Sequence, residues 1–139
     1  MGSWSAATWT GWLAALAIVI AATIPLGTRL RIGKRAAPTS GAIRTHVLLG
    51  LVTSSFAFIH TILVIPALGS PAATGAGPLA IFPAGLAFFL LVAHAGLGLQ
   101  LRDEKLKTRA KTRRSHAMTA VAITIAVTIH IVTLERARR

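Results

Sequence analysis

The chain has 139 residues, 54% of them hydrophobic, with a mean hydropathy of +0.70 and a net charge of +12. That allows one domain but is too apolar for an ordinary soluble one, so a membrane protein is expected. Cysteine is absent, which excludes disulfides, thiolate metal sites and iron–sulfur clusters. The Lys and Arg residues fall in short runs between apolar segments. That is a topology signal rather than the folded basic surface a nucleic-acid binder needs, so no nucleic-acid partner is expected.

Residues 1–28 carry no charge, and Trp9 to Thr28 is long enough to span a hydrocarbon core. Trp4, Trp9 and Trp12 suit an interface belt. With no basic residue at its start, this segment reads as a retained helix rather than a signal peptide, and Pro25 is expected to kink its last turn. The first loop carries Arg29, Arg31, Lys34, Arg35 and Arg44, with Pro38 and Gly41 as breakers. A second helix is expected over about residues 43–68. Gly69 to Gly77 is an uncharged, turn-rich connection.

A third helix is expected over about 78–101, with Pro83 in its first turns, Phe82, Phe88 and Phe89, and a lone histidine, His94. The most charged stretch follows, from Arg102 through Asp103, Glu104, Lys105, Lys107, Arg109, Lys111 and Arg113 to Arg114. The fourth segment, about 115–134, is rich in β-branched residues, but an apolar run of that length is helical in lipid. The fold class is thus all-α, a single transmembrane four-helix bundle. The two basic loops are expected on the cytoplasmic side and both termini outside, in a bacterial or archaeal cytoplasmic membrane.

Four of the five histidines form a pattern. His46 and His60 are 14 residues apart, as are His116 and His130, and the second pair follows the first at an offset of 70. On a helix, 14 residues turn through about 1400°, roughly 40° short of four full turns, and rise roughly 21 Å. Each pair therefore shares one helix face. Upstream, Leu26-Gly27-Thr28-Arg29-Leu30-Arg31 resembles Leu97-Gly98-Leu99-Gln100-Leu101-Arg102 at an offset of 71. The chain reads as a duplicated two-helix hairpin in which the second and fourth helices run parallel. His46 then lies level with His116 toward the inside, and His60 with His130 toward the outside.

Imidazoles inside apolar spans are costly to bury, and four at a repeated interval ask for a common cause. Two imidazoles at each level are too few for a histidine zinc site but suffice for the axial positions of a haem, and bundle cores build cofactor sites from facing helices. The expected cofactors are two non-covalent b-type haems, with His46 and His116 on the inner iron and His60 and His130 on the outer. Gly27 and Gly98 near the inner level, and Gly11 and Gly85 near the outer, would leave room for a flat macrocycle or simply for close helix packing, as would Gly50. Arg44, Arg113 and Arg114 are candidate propionate partners for the inner haem; Ser70, Thr74 and Arg136 are the options for the outer. His94 has no counterpart in the repeat and is read as a packed, hydrogen-bonded ring, a quinone or proton site, or another haem ligand.

Two spans, each with histidines 14 apart and a basic residue just before the inner one, resemble the di-haem four-helix core of the cytochrome b superfamily. That superfamily includes the N-terminal module of quinol:cytochrome c oxidoreductase cytochrome b and the ferric-reductase and NADPH-oxidase-type cores. The resemblance covers nearly the whole chain. It implies electron transfer across the bilayer between quinol or quinone and a partner redox protein or larger complex, in a membrane-lipid setting. The chain departs from it in lacking a Pro-Glu-Trp-Tyr motif, any tyrosine, and a flavin or nicotinamide domain. The competing reading is a non-haem four-helix membrane protein, a metal or proton transporter or an assembly subunit.

Overall fold

The computed structural model describes residues 5–34, 36–68, 78–103 and 105–137, without the side chains of 67 and 78–80. Trp4, Arg35, the 69–77 connection with Ser70 and Thr74, Glu104, Arg138 and Arg139 lie outside the described residues. Among the described residues four α-helices make up the fold: α1 Ala6–Ile32, α2 Gly41–Val64, α3 Pro78–Gln100 and α4 Arg109–Ala137. No strand occurs among the described residues. All four helices are long and apolar enough to cross a bilayer, and the chain is an integral membrane protein.

Local chemistry sets the helix ends. Ser5 and Ser40 are N-caps, their hydroxyls accepting from the amides of Thr8 and Ile43 at 3.2 and 3.4 Å. Gly33 closes α1 at φ 64°, a left-handed conformation that glycine takes at little cost. The α-helical part of α2 stops at Val64 and tightens into a 3-10 turn over Ile65–Ala67, earlier than the apolar run implies. Pro66 is the cause, since it supplies no amide to continue the ladder. α4 begins six residues before its apolar segment, because the basic run from Arg109 hydrates its side chains while the backbone stays helical. Arg109 braces the preceding turn by donating to the carbonyls of Leu101, at 3.0 Å, and Asp103.

α1 packs along α2 and α3 along α4, whereas the two hairpins touch one another sparsely. The seams are built from small residues, with Ala14, Ala17 and Ala21 buried on α1, Ala87 on α3 and Ala126 on α4. Small side chains let helix backbones approach where lipid offers no hydrophobic drive for association. Phe58 on α2 and Phe88 on α3 bridge the hairpins, with stacked rings at 6.4 Å. Phe82 and Phe89 are 72% and 73% exposed, as suits a face turned to lipid.

The deepest residues occupy one level. Thr53 and Ile123 are 2% and 3% exposed, and each lies seven residues from both histidines of its helix. They are also 70 residues apart, so the duplication places its tightest packing midway between the two histidine levels. The Thr53 hydroxyl stays satisfied by donating to the Leu49 carbonyl at 2.8 Å. Replacing Ile123 by Ala should open a cavity there and lower stability by about 2 kcal/mol or more, whereas Ile125→Ala on the lipid face should cost under about 1 kcal/mol. Thermal unfolding in mild detergent would show it; equal effects at the two positions would contradict the packing described.

Candidate functional site

The bundle brings the histidines together across its diagonal. The rings of His46 and His116 face each other with centroids 6.1 Å apart, and those of His60 and His130 at 6.5 Å. Within each pair the ring planes are steeply inclined, at 86° and 69°. The residues that the 70-residue repeat sets at one level are those that meet.

Three of these rings are held by the same device. Nδ1–H of His46 donates to the Ala21 carbonyl and that of His60 to the Ala7 carbonyl, both at 2.8 Å, and His116 donates to the His94 carbonyl at 3.1 Å. Each bond runs from a histidine helix to a main-chain oxygen of the adjacent helix. A carbonyl only accepts, so the proton sits on Nδ1, and the neutral ring keeps its lone pair on Nε2. Among the described residues no hydrogen bond engages Nε2 of these three rings. Since among the described residues no fully buried side-chain nitrogen is without a partner, each of these three Nε2 atoms borders accessible space.

Those acceptors are not arbitrary carbonyls. An α-helical carbonyl at position i accepts from the amide at i+4, and its approach is crowded by the side chain there. Four residues after Ala7 stands Gly11, four after His94 stands Gly98, and four after Ala21 stands Pro25. A Cβ on Gly11 would lie 3.0 Å from Cε1 of His60 and 3.1 Å from its Nδ1; one on Gly98 would lie 3.3 Å from Cε1 of His116. These glycines are the clearance through which the imidazoles reach the backbone. Pro25 acts differently: it has no amide hydrogen, so the Ala21 carbonyl is left without its helical donor and His46 supplies one. α1 continues through Pro25 to Ile32, so the proline interrupts the ladder without ending the helix.

Gly11 and Gly98 thus stand against histidines at the outer and inner levels, whereas Gly27, Gly50 and Gly85 have nothing within 4 Å of a built Cβ. Arg44 and Arg114, two of the candidate propionate partners, are both exposed. Two residues along a helix turn about 200°, so each points away from the histidine that follows it. They line outward-facing grooves. Arg113, three residues before His116, is half-buried.

His94 lies flat against His116, with centroids 3.7 Å apart and an interplanar angle of 15°. The Thr119 hydroxyl donates its one hydrogen to the His116 carbonyl at 2.9 Å and so accepts from Nδ1–H of His94, also at 2.9 Å. His94 therefore supports His116 twice, by its carbonyl and by its ring. The roles of Pro25 and Thr119 escaped the sequence reading. A proline inside an apolar span does signal a free carbonyl four residues back, but not which side chain claims it.

No family model, curated protein or solved structure matches the chain.

Pro25→Ala should return an amide donor to Ala21 and weaken the His46 bond. In histidine-labelled protein, the Nδ1 resonance of His46 is expected to shift while that of His60 stays in place. A spectrum unchanged at His46 would show that the proline has no part in holding it.

Proposed function

We propose that the protein is a transmembrane di-haem b-type cytochrome that carries electrons across the bilayer. The observation behind this reading is the pairing of rings at two levels, three of them, His46, His60 and His116, with Nδ1 engaged by backbone. Two imidazole nitrogens each about 2.0 Å from one metal, with each ring centre about 1.1 Å further back, put the centroids roughly 6 Å apart. The separations of 6.1 and 6.5 Å fit that requirement at both levels. His46 and His116 would hold the inner haem, His60 and His130 the outer one. A haem gripped by two imidazoles has no open position for oxygen or substrate and supplies reversible one-electron chemistry.

The chain's own residues would set the terms of that chemistry. Carbonyl bonds at Nδ1 lock tautomer and ring orientation and raise the basicity of Nε2. Sparse contact between the hairpins leaves the diagonal between α2 and α4 lightly packed, while Thr53 and Ile123 close the space between levels. Arg113 is the basic side chain suited to an inner propionate, lying near the His116 side of α4 and half-buried.

The two basic loops argue for a cytoplasmic inner level and external termini, in a bacterial or archaeal cytoplasmic membrane. Electrons would pass between quinol or quinone and a partner redox protein or larger complex, as the resemblance to the cytochrome b superfamily implies. A metal or proton transporter finds less support. Among the described residues no three histidine or acidic side chains gather in a metal-binding group, and the three acidic residues fall in the second basic loop and near the C-terminal end of α4.

Purified protein should be red, with a b-type reduced-minus-oxidised spectrum and two haems per chain by pyridine assay. His60→Ala is expected to lose the outer haem and keep the inner, and His94→Ala to retain both. Colourless protein after expression with ample haem would overturn the proposal.

A further inference from the structure

Two grooves on the outer surface carry a second repeat. The first, of about 400 Å³, is lined by Pro38, Thr39, Arg44, Leu48, Leu51 and Arg102, with Ile43 and Val47. The second, of about 390 Å³, is lined by Arg114, Ala117, Met118, Val121, Ala122 and Ile125. Arg44, Val47, Leu48 and Leu51 correspond to Arg114, Ala117, Met118 and Val121 at the same offset of 70 that relates the histidines. Both sets follow the i, i+3, i+4, i+7 spacing of one helix face.

Their surroundings correspond too. Leu48 and Met118 are 60% and 61% exposed, and Leu51 and Val121 are 59% and 61%. Each groove is therefore an apolar channel along a lipid-facing helix, with a guanidinium at its basic-loop end. Among the described residues neither Arg44, Arg102 nor Arg114 has a hydrogen-bonding or ionic partner for its guanidinium. The first groove adds Arg102, from the turn after α3, so two arginines line it. An unpaired guanidinium above an apolar channel at the membrane surface complements a phosphate carried on an acyl chain, because the planar fork takes two phosphate oxygens at once.

We propose that these grooves are paired binding sites for anionic phospholipid of the inner leaflet, the Arg44–Arg102 groove being the stronger. The headgroup phosphate lies between Arg44 and Arg102, and an acyl chain runs along Val47, Leu48 and Leu51. The Arg114 groove takes a second lipid with one guanidinium. This rests on the membrane-spanning fold and the grooves, not on the haem reading.

The test uses the full chain in nanodiscs of mixed phosphatidylcholine and phosphatidylglycerol, extracted into mild detergent, with retained lipid identified by native mass spectrometry. The wild type is expected to keep phosphatidylglycerol in preference to phosphatidylcholine. R44Q/R102Q removes both charge-assisted contacts to the headgroup and should lower that preference by about tenfold or more. R29Q/R31Q removes equal charge from the end of α1 and should leave the preference intact. Leu48→Trp fills the channel without changing charge and should also release lipid. Circular dichroism and monodispersity confirm that each variant is folded. The proposal fails if R29Q/R31Q loses as much lipid as R44Q/R102Q, which would show bulk charge alone. It also fails if R44Q/R102Q keeps its phosphatidylglycerol, or if inorganic phosphate displaces the lipid, which would show a phosphate site indifferent to the acyl chain.

Discussion

The structure depends on a hydrogen bond that joins a side chain of one helix to the backbone of the next. In an α-helix every interior carbonyl already has a donor, so an imidazole can dock on one only where the ladder is open or its approach is cleared. Gly11 and Gly98 clear the approach, and Pro25 removes the donor. Each solution spends some intrinsic helix stability, and in lipid that is tolerable because the imidazole N–H satisfies the carbonyl it reaches. The return is rotational order: a histidine fixed at Nδ1 has a known tautomer and presents one nitrogen to the bundle interior. The hairpin seam is thereby also the element that orients the imidazoles.

Duplication explains why this happens at two levels and why the levels stay apart. Each half contributes a helix with two histidines seven residues either side of a buried residue, Thr53 or Ile123. The most buried residues, Thr53 and Ile123, lie at that midpoint and so separate the two histidine levels. The halves have nevertheless diverged at the supporting helices. On α1 the inner acceptor is created by Pro25; on α3 it is the carbonyl of His94, opened by Gly98, with the His94 ring stacked on His116 as well. The inner pair thus has unequal partners, one imidazole held by a carbonyl alone and the other by a carbonyl and a parallel ring. Were the pair to hold a metal, unequal support of its two imidazoles would be a means of tuning that site without altering its residues.

Much of this was legible in the sequence, because the relevant information is periodic. Spacing by 14 specifies a face, the offset of 70 specifies a partner, and loop charge specifies parallel helices, which together select His46 with His116 and His60 with His130. Four apolar runs likewise specify four spans. What could not be read is contact between helices whose relative rotation no period encodes. Gly11 and Gly98 face histidines while Gly27 and Gly85 do not, although all four sit at sensible heights. Pro25 reads as a kink until the acceptor four residues behind it is seen to face His46. Helix ends were misjudged where hydropathy stopped before the hydrogen-bond ladder did, as at Arg109, or continued past it, as at Pro66.

The arginines show how adjacency in sequence misleads. Arg44 precedes His46 by two residues and Arg114 precedes His116 by two, which invites the view that each serves its histidine. Two residues are about 200° of helix, and the side chains diverge. The same turn that keeps His46 in the core sets Arg44 at the surface, above Leu48 and Leu51. A helix that crosses the membrane only once can in this way hold a buried pair on one face and the lipid boundary on the other. Because both faces repeat at an offset of 70, the unit that was duplicated already carried the division between them.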